Sequence, residues 1–162
     1  MAGIMFMFDI KWAIPFTLAA IIVHFGIDPP FFEVTGRVAT LQEHLLRPYI
    51  ATVPECYVLF YTTWEDRCVS VTPVFIQIAE KYSAKNRLFA RFDIGKSPKA
   101  QEEFKISSTN GTLRQIPTII HFKDGKEINR LNPNIAGDKL LNLPTIVRHF
   151  KLRLPTKEEK FK

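Results

Sequence analysis

The chain has 162 residues, 46% of them hydrophobic, and a formal net charge of +6. That length holds one domain with an appendage, and the apolar content is enough for a core. Much of the charge sits in Lys151, Arg153, Lys157, Lys160 and Lys162 against Glu158 and Glu159. No basic run interleaved with aromatics exists, so nucleic-acid binding is not expected, and a tail near an anionic membrane explains the charge better.

Residues 12–27 carry no charge; Asp9 and Lys11 precede them and Asp28-Pro29-Pro30 stops them. As a helix the run rises about 24 Å, somewhat less than a hydrocarbon core of about 30 Å. Lys11 can snorkel to make up part of the difference. Three readings compete: one transmembrane helix, a cleaved signal peptide, or a helix against the domain. The first is favoured, because no small-residue cleavage pattern precedes Asp28. Lys11 and Arg37 leave the orientation undecided. The expected organisation is a membrane anchor over 1–30, a linker with a short helix over 31–52, a domain over 53–152 and a basic tail over 153–162.

Val38, Leu41 and Leu45 predict a helix over 40–46 that ends at Pro48. Residues 56–62 form an apolar run that predicts a central strand. A helix over 69–82 follows, with apolar positions 71, 74, 75, 78, 79 and 82 on one face and Pro73 as a kink. Residues 87–94 predict a second strand, and Ser97 caps a helix to Phe104 with Pro98 at its first position. A third strand spans 116–122. Asp124-Gly125 is a tight turn into a fourth strand over 127–131, making a hairpin. The last helix spans 143–151, with Asn142 as its cap. The order is α-β-α-β-α-β-β-α, a mixed sheet with helices on both faces.

Cys56 and Cys68 stand at opposite ends of the first strand, about 20 Å apart, so they predict free thiols and no disulfide. No Cys or His pair has metal-ligand spacing, and neither a metal nor a cofactor is expected. The four histidines, at 24, 44, 121 and 149, are scattered.

The segment Trp64-Glu65-Asp66-Arg67-Cys68 lies between that strand and the next helix. A strand, a Trp, a Cys four residues on and a helix, followed by Gln115-Ile116-Pro117-Thr118 at a later strand, together resemble the thioredoxin-like fold. The resemblance implies an α/β domain, here preceded by one transmembrane helix. It also implies that Pro117 is a cis-proline facing the Cys68 region, with the backbone of Ile116 open to an extended partner chain. The alternative is a trans-proline that opens an edge strand. Two departures stand out. Glu65 occupies the place of the attacking thiolate in W-C-x-x-C, and Leu59 the place of a buried proton-shuttling acid. A carboxylate forms no disulfide, so dithiol catalysis is not expected. Cys68 keeps the resolving position. A helix N-terminus and Arg67 would favour its thiolate while Glu65 and Asp66 would oppose it, and both a quiet thiol and a regulatory one stay open.

Further motifs resemble the C-terminal portion of the thioredoxin-related transmembrane protein family. They are Phe8-Asp9-Ile10-Lys11 with the apolar run and Pro29-Pro30, Phe92-Asp93-Ile94-Gly95, Gly125-Lys126-Glu127 and Ile146-Val147-Arg148-His149-Phe150. The resemblance implies a single-pass protein of the endoplasmic reticulum membrane, also at mitochondrial contacts, with a role in redox state and protein folding. Its partners would be proteins, met at Trp64, Glu65, Ile116 and Pro117. A weak monothiol oxidoreductase using Cys68 is the alternative. The family's dilysine ending is weakened here, because Lys160 lacks its partner lysine. The sequon Asn110-Gly111-Thr112 is read as a chance match in a polar loop.

Overall fold

The structure is a computed structural model that describes residues 37–107, 115–136, 141–156 and 159. Among the described residues, nine strands and α-helices carry the fold. In chain order they are β1 (Val38–Leu41), α1 (Glu43–Thr52), β2 (Glu55–Tyr61), α2 (Asp66–Tyr82), β3 (Arg87–Asp93), α3 (Pro98–Phe104), β4 (Thr118–Lys123), β5 (Lys126–Leu131) and α4 (Leu143–Phe150). The strands form one sheet in the order β1-β3-β2-β4-β5. β1 and β2 run parallel to β3, β4 is antiparallel to β2, and β5 is antiparallel to β4.

β2 is the axis of this arrangement. Cys56, Val58 and Phe60 point into one core with α1 and α3, through Leu46, Ile50, Ala100 and Phe104. Tyr57 and Leu59 point into the other with α2 and α4, through Val71, Phe75, Ile78, Ile146 and Phe150. A strand covered on both faces reads as a continuous apolar run rather than an alternating one. Each large side chain so buried contributes about 1.5–3 kcal/mol.

The local signals hold at several ends. Ser97 Oγ accepts from the Ala100 amide at 3.1 Å and Asn142 Oδ1 from the Thr145 amide at 3.0 Å, capping α3 and α4. Asp124 and Gly125 both have positive φ, +50° and +77°, between the paired Lys123 and Lys126. That is the two-residue turn whose twist suits a hairpin. Pro73 lies inside α2.

The N-terminal part of the fold differs from the expectation. Val38 and Leu41 belong to a strand, not a helix, and β1 pairs with β3 from Val38↔Phe89 to Leu41↔Phe92. The sheet therefore begins well before position 53, and the order is β-α-β-α-β-α-β-β-α. α1 starts at Glu43 and runs through Pro48 to Thr52. It buries Leu46 and Ile50, one turn apart, and leaves Leu45 exposed. β4 starts at Thr118 rather than 116, because Pro117 offers no N–H to the ladder. α2 starts at Asp66, so Cys68 lies in its first turn. The expected solvated tail is partly docked. Leu152 is buried, Arg87 Nη1 donates to the Arg153 carbonyl at 3.0 Å, and the Lys85 amide donates to the Glu159 carbonyl at 3.0 Å. The apolar run over 12–27 lies outside the described residues. Among those described, no helix is long and apolar enough to cross a membrane.

At the N-terminal end of β2, the base of the domain, Glu55 gathers a polar cluster. Its carboxylate accepts from Arg87 Nε at 2.9 Å and from the Tyr57 hydroxyl at 3.0 Å, and His121 Nε2 lies 3.1 Å away. The Tyr57 ring stacks on both His121 and Phe89. The His121 contact, assisted by Arg87 and against the opposing effect of burial, lowers the Glu55 pKa to about 2 from its usual 4.5. A depressed carboxylate stabilises the fold fully above the unfolded value and loses that contribution as pH falls toward the folded one. Urea unfolding should therefore show a loss of stability between about pH 4.5 and pH 2 that Glu55→Gln abolishes, with Glu55→Gln costing about 1–3 kcal/mol near neutral pH. An unchanged acid slope in Glu55→Gln would assign the loss to other groups.

Candidate functional site

At the opposite end of the sheet β2 delivers its chain to α2 through residues 62–65. Thr62 is buried, and its amide donates to Cys68 Sγ at 3.5 Å. The Thr62 hydroxyl is buried without a partner of standard geometry and faces the same sulfur. Glu65 is the N-cap residue of α2. Its carbonyl accepts from the Cys68 amide at 2.9 Å, and its side chain makes no capping bond. The carboxylate is thus half-exposed at the mouth of the site, where a dithiol enzyme would carry its attacking sulfur.

Cys68 is only 1% exposed. Burial pushes its thiol up to about 11, against the lowering effect of the Thr62 hydrogen bonds, and the charges of Glu65 and Asp93 push the same way. Desolvation outweighs the helix N-terminus, whose positive end would favour the thiolate. At neutral pH a thiol of that pKa is ionised to about one part in ten thousand. Cys56, at the other end of β2, is fully buried and is likewise pushed up, to about 12, by burial and then by Glu55. Both cysteines are free. Leu59 is wholly buried in the core shared by α2 and α4, so no carboxylate stands at that position to move protons.

The Ile116–Pro117 peptide is cis. Ile116 is wholly buried and shares one apolar cluster with Cys68, Phe60 and Ile94. The ladder between β2 and β4 ends at the Phe60↔Thr118 pair, so Ile116 and Pro117 lie just past the last paired residue. Thr118 Oγ1 donates to the Gln115 carbonyl, and Gln115 Oε1 accepts from the Ser107 amide, holding the approach to the proline. Pro117 is itself buried.

Trp64 is 57% exposed, with its ring across Gly95. A Cβ at Gly95 would stand 2.0 Å from Trp64 Cη2 and 2.6 Å from Cζ3, so only glycine admits the indole there. The Gly95 amide donates to Asp93 Oδ1 at 3.1 Å, and Lys96 Nζ lies 3.3 Å from Asp93 Oδ2. Val69, one residue past Cys68, is 64% exposed.

Of the residues expected at the site, the structure joins Cys68 and Ile116 in one buried cluster, places Pro117 beside Ile116 and leaves Trp64 and Glu65 at the surface. Thr62, Val69, Asp93 and Gly95 were not anticipated. Phe92-Asp93-Ile94-Gly95 stood out only as a family-like motif, and no spacing rule links Gly95 to Trp64. Among the described residues no group of three or more His, Cys, Asp or Glu could hold a metal ion.

A five-stranded mixed sheet with a helix-end cysteine and a neighbouring cis-proline defines a thioredoxin-fold domain, here with half of a dithiol centre. The thioredoxin family model matches residues 38–143, and the chain belongs to the thioredoxin family. Within that family its likeness is to thioredoxin-related transmembrane proteins. It is 34% identical over 131 residues to the Caenorhabditis elegans thioredoxin-related transmembrane protein 2 homolog, covering 78% of this chain and 49% of the relative. It is 28% identical over 128 residues to the Drosophila melanogaster homolog, covering 75% and 46%. The chain thus spans about half the length of these relatives. The solved thioredoxin of Malassezia sympodialis superposes with a TM-score of 0.53 at 20% identity, covering 70% of this chain and 91% of that one, and supports the fold alone.

Two outcomes follow from this geometry. Both cysteines of the folded protein should react with a soluble disulfide reagent near neutral pH at least about a hundredfold more slowly than in urea; rapid labelling of Cys68 in the folded state would contradict its burial. In a Trp12→Phe background, Gly95→Ala should displace the indole and red-shift Trp64 fluorescence, with a stability change within about 1 kcal/mol because the exposed ring can swing aside. An unchanged emission maximum would show that the ring does not depend on Gly95.

Proposed function

We propose that the chain is a membrane-anchored thioredoxin-like module of the endoplasmic reticulum that binds extended polypeptides and does not perform dithiol exchange. The observation that carries this reading is the pairing of Glu65 at the attacking position with a Cys68 that is 1% exposed and pushed up to about 11. The binding surface consists of Trp64, the half-exposed Glu65 and Val69; Ile116 and Pro117, expected to be open to an extended chain, are instead buried behind it and support it from within. An indole laid on a glycine is a rigid apolar platform, which is suited to grip a side chain at small entropic cost. Acting on partners in this way, the module influences protein folding and cellular redox state through association. The uncharged run over 12–27 and the transmembrane relatives support membrane anchoring. The monothiol alternative needs a thiolate at Cys68, and the burial of that sulfur weighs against it.

The test is a pair of assays on the full chain in detergent. Insulin reduction with dithiothreitol should stay at background for the wild type and for Cys68→Ser. Binding of an unfolded reduced polypeptide should be kept in Cys68→Ser and weakened about tenfold by Trp64→Ala. Turnover above background that disappears in Cys68→Ser would replace this reading with the monothiol one.

A further inference from the structure

We propose that the base of the domain, the end away from Cys68, is a docking surface for anionic lipid headgroups. The inference rests on the membrane anchoring proposed above and adds a lipid-binding face of the domain itself.

The base is defined by register. Arg87, Glu55, Lys123 and Lys126 lie opposite one another across β3, β2, β4 and β5. Lys81 lies in the last turn of α2, just before Ala84, which bridges to Arg87. Lys151 follows α4, and the Arg153 carbonyl is held by Arg87. Lys81, Lys85, Lys123, Lys126, Lys151 and Arg153 are all exposed there. None of the six is in an ion pair among the described residues. Glu55 is engaged by Arg87 and His121 and offers them no counter-charge. The exposed acids at this end are Glu80, Asp124, Glu159 and Glu127, the last of which is paired with Arg130. The opposite end has no such excess, with Glu65, Asp66 and Asp93 set against Arg67 and Lys96.

Two further observations favour a lipid surface over an acidic protein. Leu154 is 68% exposed beside Arg153, an apolar side chain within a cationic face, as at interfacial membrane sites. β1 begins opposite Phe89, near the base end of β3, so the first described residues, Arg37 and Val38, enter the sheet at this same end. Cations held near an anionic leaflet favour docking by about fivefold each within a Debye length of about 8 Å. Docked this way, the domain holds Trp64, Glu65 and Val69 away from the bilayer.

The test is hydrogen exchange on the full chain in nanodiscs of phosphatidylcholine alone and of phosphatidylcholine with about a third phosphatidylserine. Amides over 83–87 and 151–156 should exchange at least about threefold more slowly in the anionic discs, while 62–68 should not change, and about 0.5 M sodium chloride should erase the difference. The combined Lys85→Glu, Lys123→Glu and Lys126→Glu chain should lose the protection. The three Lys→Gln substitutions replace this set if the amides of β2 show that the charge reversals unfold the domain. Equal exchange in the two discs, protection of 62–68 instead, or protection that survives salt would overturn the proposal. Flotation separates it from the anchor reading. A chain that floats with neutral vesicles in high salt keeps its anchor even if the exchange result fails. One that floats only with anionic vesicles at low salt keeps the cationic face and loses the anchor.

Discussion

The covering of β2 on both faces is the constraint on which the rest of the structure depends. Cys56, Val58, Leu59 and Phe60 have no exposed surface, so helices must lie on both sides and β3 and β4 on both edges. Those neighbours fix where the strand ends. Its base end meets Glu55, Arg87 and His121, a polar knot that ties three strands and the docked tail. Its other end releases the chain at Thr62, directly beneath Cys68. Site and base are therefore two ends of one rigid element, and the chemistry of each is set by how it terminates.

At the site end, the competition over Cys68 is decided by solvation. A helix N-terminus and the Thr62 amide hydrogen bond favour a thiolate, yet removal from water and the charges of Glu65 and Asp93 outweigh them. The family's usual remedies are a second sulfur to share the work and a buried acid to carry the proton. Glu65 and Leu59 stand in those two places. What persists is shape: a ring on Gly95, a cis-proline beyond the last ladder pair, and a helix that begins beside them. Shape without a nucleophile suits recognition rather than exchange.

Local chemistry made much of this legible from sequence. Ser97 and Asn142 cap helices because a short side-chain oxygen reaches the second or third amide, and Asp124-Gly125 turns because both residues accept positive φ. The unbroken apolar run of β2 signalled its central place. β1 was hidden because its four residues are held by a parallel partner, Val38↔Phe89 onward, far along the chain, and periodicity does not register such pairing. Pro48 signals a stop in the sequence, yet α1 continues through it because Leu46 and Ile50 are anchored in the core on either side. Trp64 was expected at the site, but its seat on Gly95 comes from the return of β3 beside β2 and is a property of the sheet.

The isolation of the two sulfurs has one more consequence. The chain has two cysteines, both free and enclosed, Cys56 at the base of β2 and Cys68 in the first turn of α2 past its other end. A dithiol member of the fold exists in two covalent forms, and the glutathione potential of its compartment selects between them. A domain whose two sulfurs stand this far apart has no internal disulfide form for that potential to select. The packing around β2 therefore does not depend on an internal cross-link, and the fold is held by its apolar cores alone.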